Sequence, residues 1–301
     1  MLGRNLTLFG NPKEGISLFK KAIENSKSAD ADNILTAKIN LLQLIVLQPK
    51  KEGANSLTKS IEKTLAAANS LQKIDFLNAQ SEGSESTEMA INFANKALNI
   101  AEVVYGAEHP VVARQLERLA SFQADLKLDI EALKNMEKAF RISEKYSPPD
   151  DEGLFHRRFN YAETLLTVGR RTEALEHFTI LVEQAKDKRL GENGVYQFLN
   201  IDYVTTLSEL NKYSKAIEFA NSNIEDTITK FEAMPKLGRA MYLTRLSILY
   251  DECGDAAQVA RLIKKIDQSI FVTDPWISET LAKLRKKNSS GTITKSKNCQ
   301  S

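Results

Sequence analysis

Tyr161-Ala162-Glu163-Thr164-Leu165-Leu166-Thr167-Val168-Gly169-Arg170-Arg171-Thr172-Glu173-Ala174-Leu175-Glu176-His177-Phe178-Thr179-Ile180-Leu181 is one complete copy of a pattern that recurs along the chain. Tyr161 and Ala162 open a helical run that reaches Leu166, and Gly169 interrupts it. Ala174, Phe178 and Leu181 then follow at steps of four and three, which places them on one face of a second helix. A small residue in each helix, large apolar neighbours and a break between them describe two closely crossing helices. Ala174 has counterparts 42 residues away in Ala132 and Ala216, with Ala90 one period earlier and Val259 43 residues after Ala216. A fixed period of this size marks an array of stacked hairpins.

The other copies follow the same grammar. One reads Leu119-Ala120, Ala132, Met136 and Ala139; another reads Tyr203-Val204, Leu207, Asn211, Tyr213, Ala216 and Ala220. A further copy gives Leu246-Ser247, Tyr250, Gly254, Val259, Ile263 and Ile266. Towards the N-terminus, Leu2-Gly3, Leu6, Gly10, Gly15, Phe19 and Ala22 keep the register, and Leu41-Leu42, Ile45, Ala54 and Ile61 keep it less well. Around Ala90, Ala94 and Ala97 the second helix is clear. The Ser- and Glu-rich segment from Leu71 to Glu88 breaks the pattern and is expected to be the weakest point of the array.

This grammar resembles the tetratricopeptide repeat. Its usual repeat is about 34 residues, so these hairpins should be longer by roughly two helical turns. The segment Tyr105-Gly106-Ala107-Glu108-His109-Pro110-Val111-Val112-Ala113 resembles the Gly-x-x-His-Pro-x-Val-Ala entry of the 42-residue repeats of kinesin light chains and many bacterial proteins. The resemblance implies an all-α, right-handed superhelical solenoid of about seven hairpins. The array would occupy residues 1–287, with a C-terminal capping helix begun by Asp274-Pro275, and residues 288–301 would form a disordered tail.

The same resemblance implies that the first helix of each hairpin lines a concave groove for a protein or peptide ligand. Carried over position by position, the fourth hairpin offers Arg114, Glu117, Arg118 and Ser121, and the fifth offers His156, Phe159, Asn160 and Glu163. The sixth offers Phe198, Ile201, Asp202 and Thr205, and the seventh Met241, Thr244, Arg245 and Ile248. Asn160 can both donate to and accept from a peptide bond, while Phe159 and Phe198 can anchor apolar side chains. Co-chaperone-type repeats grip a C-terminal carboxylate with Lys and Asn. Glu117, Ser121, Phe159 and Glu163 at those positions imply that this clamp is absent.

Composition narrows the function class. The chain has 301 residues, 42% of them hydrophobic, and a net charge of +2. Six basic residues (Lys283, Arg285, Lys286, Lys287, Lys295 and Lys297) lie near the end, and the remainder without them is net −4. A nucleic-acid groove would carry an excess of Lys and Arg, so nucleic acid is not an expected partner. No apolar run approaches the roughly 18 residues of a membrane span. The seven prolines fall at expected breaks.

Chemistry is not expected either. His109, His156 and His177 never pair at the four-residue step of a helical metal site. His156 and Glu163 share a helix face and read more naturally as groove-lining than as an acid–base pair. No Gly-rich phosphate loop occurs. No metal and no cofactor are implied. Cys253 reads as a packing residue, and with Cys299 it makes no disulfide framework, which favours a reducing, cytoplasmic setting. Leu2-Gly3 already stands mid-helix, which suggests a piece of a longer protein. The two readings are an adaptor or scaffold that binds a protein segment, and a peptide-sensing regulatory receptor whose output domain lies outside this chain.

If Ala174 holds a close crossing, Ala174→Leu should destabilise the fold by about 1–3 kcal/mol through overpacking. Chemical denaturation checks this, and an unchanged midpoint would place Ala174 away from a crossing.

Overall fold

The computed structural model describes residues 12–26, 31–186, 195–230, 236–266 and 274–289. Every regular element among them is helical. The chain divides at the Val168–Gly169 turn into two compact units, Met1–Val168 and Gly169–Ser301. The first holds α1 (Pro12–Glu24), α2 (Ala31–Val46), α3 (Ala54–Glu62), α4 (Ser70–Gly83), α5 (Thr87–Tyr105), α6 (Pro110–Asp125), α7 (Asp129–Tyr146) and α8 (Glu152–Thr167). The second holds α9 (Arg171–Gln184), α10 (Val195–Glu209), α11 (Tyr213–Lys230), α12 (Lys236–Glu252), α13 (Ala256–Lys265) and α14 (Pro275–Ser289). Consecutive helices pack as hairpins, with α4 against α5, α6 against α7, α10 against α11 and α12 against α13. Leu2, Gly3, Leu6 and Gly10 of the first copy lie outside the described residues.

The landmark small residues are buried. Ala132, Ala174, Ala216 and Val259 are at most 1% exposed, and Ala90 is 3% exposed. In the first unit Ala97, Ala101 and Ala139 share a core with Ile74, Val112, Leu116 and Ile142. A second core joins Leu35, Ile39, Leu42 and Ile61 to Phe76 and Ala79. Short side chains let helix backbones approach, and the branched and aromatic residues beside them fill the remaining volume.

The segment from Leu71 to Glu88 departs from expectation, because most of it is a complete helix. Asn69 caps α4 through a reciprocal box, its side chain accepting from the Gln72 amide while the Gln72 side chain accepts from the Asn69 amide. Such a box satisfies two otherwise orphaned donors. Gln72 also donates to Asp32 Oδ1 and Thr36 Oγ1 on α2, at 3.0 and 2.9 Å. Ser81 donates to the carbonyl of Asn78, and Ser86 caps α5 by accepting from the Met89 amide. The polar residues that break the apolar pattern are therefore used as caps and cross-helix bonds.

A second register runs through the turns within hairpins. Lys127, Gly169, Asn211 and Gly254 all have positive φ, at 60°, 82°, 58° and 77°. Leu128, Lys212 and Asp255 each follow one of these residues and donate to the carbonyl five positions back, at 2.8–2.9 Å. This six-to-one bond closes a helix end once one residue adopts the left-handed conformation.

The His-Pro entry has its own logic. Gly106 ends α5 at φ 84°. His109 Nδ1 accepts from the Val111 amide at 3.2 Å, its ring stacks on Tyr105 with centroids 5.0 Å apart, and Pro110 starts α6. Proline at the first helical position forfeits no hydrogen bond. Asp274 and Pro275 start α14 in the expected way, with Asp274 Oδ1 accepting from the Ile277 amide at 3.0 Å. Ile277, Leu281 and Leu284 form the buried stripe of that helix.

The turn register generates a paired test. A Cβ at Gly169 would meet nothing closer than Arg171 Nη1 at 3.7 Å, so the cost of Gly169→Ala is torsional. It should destabilise by about 1 kcal/mol, whereas Lys127→Gly relieves the same strain and should be neutral or stabilising. Urea denaturation of the two variants should show shifts of opposite sense or one shift close to zero.

Candidate functional site

On the first helices of the first unit, residues at steps of three, four and seven share one face. On α4 these include Asp75 and Glu82; on α6 they are Arg114, Glu117, Arg118 and Ser121; on α8 they are His156, Phe159, Asn160 and Glu163. Cross-helix polar contacts link the three helices. Arg118 pairs with Glu82, whose side chain is 9% exposed. Glu117 accepts from Asn160 Nδ2 at 2.7 Å and from Arg157 Nε at 3.0 Å. Gln43 of α2 continues the series by donating to the carbonyl of Asp75 at 3.3 Å. Arg114 is exposed and forms no hydrogen bond or ion pair among the described residues. Asp75, which lies close enough to interact electrostatically with Arg114 and Arg118, belongs to this strip as well. It was missed because the pattern failed at α4.

The remaining assignments divide. Phe159 is 4% exposed. That places it in the core, because its position on α8 turns towards the neighbouring helices. His156 is half-buried, 3.5 Å from Glu152 and edge-on to Phe155. In the second unit Phe198 and Asp202 are half-buried on α10. Arg245 on α12 lies over the ring of Trp276 on α14, 5.6 Å from its centroid, so a residue assigned to ligand binding already contacts the capping helix. Cys253 is half-buried just past the end of α12. No group of three or more His, Cys, Asp or Glu among the described residues could hold a metal ion. No described helix is long and apolar enough to cross a membrane.

No protein-family model matches the chain. Over 129 residues it is 31% identical to a clustered mitochondria protein homolog of Debaryomyces hansenii, and over 89 residues 33% identical to one of Meyerozyma guilliermondii. These stretches cover 42% and 30% of this chain but only 9% and 7% of those longer proteins. Among solved structures, BtubC (BKLC) of P. vanneervenii superposes with a TM-score of 0.59 at 12% identity, over 74% of this chain and 92% of that one. A Rap protein complexed with competence and sporulation factor gives 0.57 at 14% identity, over 94% and 88%. The nearly identical TPR-like repeats of a Podosopora anserina kinesin light chain candidate give 0.53 at 13% identity, over 72% and 96%. At such identities the likeness concerns the fold, which is an all-α helical repeat array of the tetratricopeptide type.

Desolvation marks the polar strip electrically. Burial pushes the Asp75 carboxyl above its ordinary pKa, outweighing the opposite pull of Arg114 and Arg118. Burial also raises Glu163, and it lowers Arg118 against the pull of Glu117 and Asp75. A carboxyl raised in the folded state favours folding most when protonated. Its contribution is present below the ordinary carboxylate range and is lost as pH rises through the raised value. Glu163→Gln should therefore raise the thermal midpoint at pH 7, and the gain should vanish as pH falls below about 4. Thermal denaturation across that window checks the sign.

Proposed function

We propose that this chain, an array of tetratricopeptide-type repeats, is a protein-interaction scaffold that binds an extended protein segment along its first-helix face. The exposed guanidinium of Arg114, within electrostatic reach of Asp75 and without a hydrogen bond or ion pair among the described residues, is the observation that carries this reading. Arg118, Arg157 and Asn160 already satisfy neighbouring carboxylates, so they hold the strip in shape and limit conformational loss on binding. Arg114 supplies planar donors for backbone carbonyls or carboxylates of the bound segment. Asn160 commits one amide hydrogen to Glu117 and keeps its carbonyl for a peptide N–H. Phe159 supports α8 from the core. The reading involves no catalysis, and a cytoplasmic setting suits it.

The Rap structure, solved with competence and sporulation factor, supports a second reading, in which a short peptide switches the array as a regulatory receptor. Small-angle scattering separates the two. A receptor should compact when its peptide binds, whereas a scaffold should keep its radius of gyration.

The first reading is tested on an array of extended peptides. Arg114→Ala and Asn160→Ala should each weaken the peptides that bind the parent by about 1–3 kcal/mol, or roughly one to two decades in affinity. Both variants should keep the parent's thermal midpoint within a few degrees. Undiminished binding by both would exclude the first-helix face.

A further inference from the structure

A second surface lies on α5, away from the polar strip. The buried face of α5 is Ala90, Ala94, Ala97 and Ala101, each at most 3% exposed, packed towards α4 and α6. Another apolar row remains uncovered. Met89 is 51% exposed, Val103 79% and Val104 49%; Phe93 is half-buried, and Ile100 is half-buried with part of its side chain against the core of the first unit. Met89, Phe93, Lys96, Ile100 and Val103 follow steps of four, three, four and three, the spacing of a coiled-coil seam. The row runs about 21 Å along the helix.

The surroundings of the row are unlike an ordinary solvated face. Beside it stand Asn92, Asn95 and Asn99, all exposed and uncharged, with the exposed Glu88 at the start of the helix. The outward residues of α7 are mostly charged, with Glu131, Lys134, Glu137, Arg141, Glu144 and Lys145 between the exposed Ile130 and Tyr146 at its ends. Glu102, the acidic residue near the end of α5, is held by Lys138 at 3.1 Å. Depletion of charge around exposed Met, aromatic and branched residues is the signature of an interface core. Lys96 is the one charge within the row itself, and it occupies the middle. Its ammonium rests 5.5 Å from the Phe93 ring centroid and forms no ion pair among the described residues.

We propose that the outward face of α5 docks an amphipathic helix of a partner protein that sets an acidic residue against Lys96. A straight row at heptad spacing is matched by another helix with the same spacing. Charge selects which helix. Lys96 is the central residue of the row, so two copies of this chain paired in register, parallel or antiparallel, would bring Lys96 close to Lys96 in a desolvated seam. Like charges facing across an interface oppose pairing, and a carboxylate at that place favours it. This surface stands independently of the first-helix strip.

The test uses the full 301-residue chain and a fluorescein-labelled synthetic peptide of about five turns. The peptide carries Leu and Ile at the same four-three spacing with one central Glu, and binding is read by anisotropy. Val103→Glu and Lys96→Glu alter exposed side chains, and their thermal midpoints serve as the folding control. The parent should bind the Glu peptide. Each variant should bind it at least tenfold more weakly, and Lys96→Glu should recover affinity for a peptide whose central residue is Lys. Arg114→Ala should bind as the parent does. The proposal is overturned if the parent fails to bind, or if it does not distinguish the Glu and Lys peptides. It is overturned also if Val103→Glu leaves binding intact, or if Arg114→Ala abolishes it, which would place the peptide on the first-helix strip. A parent dimer in light scattering that Val103→Glu disperses would make a second copy the occupant and equally overturn it.

Discussion

The close approach of helix backbones at the alanine positions is the constraint on which the other features depend. A helix crossing through Ala97, Ala101 and Ala139 leaves room for backbone and Cβ only, and all three are 0% exposed. Larger neighbours such as Ile74, Leu116 and Ile142 then fill the flanking volume in one shared core. In the first unit α5 and α7 are thereby held at a set distance from the first helices on either side. Repetition of that spacing turns local hairpins into an array in which each unit contacts mainly its neighbours.

Turn chemistry supports the same spacing from the helix ends. One left-handed residue in each of four turns, at Lys127, Gly169, Asn211 and Gly254, reverses the chain in the fewest residues. Glycine adopts this conformation without a Cβ penalty, and asparagine tolerates it better than most residues. Lys127 has neither advantage, yet the Leu128 amide still reaches the Gln123 carbonyl at 2.9 Å. Tertiary packing of α6 on α7 therefore overrides a local preference worth about 1–2 kcal/mol.

The two faces of the hairpins carry different physics. The first-helix face of the first unit is a series of bonded charges, partly withdrawn from water, in which Glu82, Glu117, Arg118, Arg157 and Asn160 restrain one another. Such pairs add little net stability, because desolvation opposes attraction, but they do restrict which arrangement the side chains adopt. The outward face of α5 carries an exposed apolar row with one lysine in its middle. A surface of the first kind suits polar recognition of an extended backbone. One of the second kind suits burial against another helix.

By itself the sequence determined the period, the hairpin units and the buried small residues, because a 3.6-residue repeat and a helix crossing both act locally and leave regular marks. Proline and aspartate likewise marked the start of α14, since capping involves only neighbouring residues. Tertiary structure decided what the pattern could not express. It made α4 a full helix, because its polar Gln72, Ser81 and Glu82 find partners on α2, on α4 itself and on α6 that no linear pattern displays. It turned Phe159 into the core and set Arg245 over Trp276, since side-chain direction depends on which helix lies alongside. It also left Arg114 without a hydrogen bond or ion pair among the described residues, while its neighbours found carboxylates. Charge pairing across helices some 40 residues apart in sequence is a property of the packed array, and only the packed array shows which charge remains free.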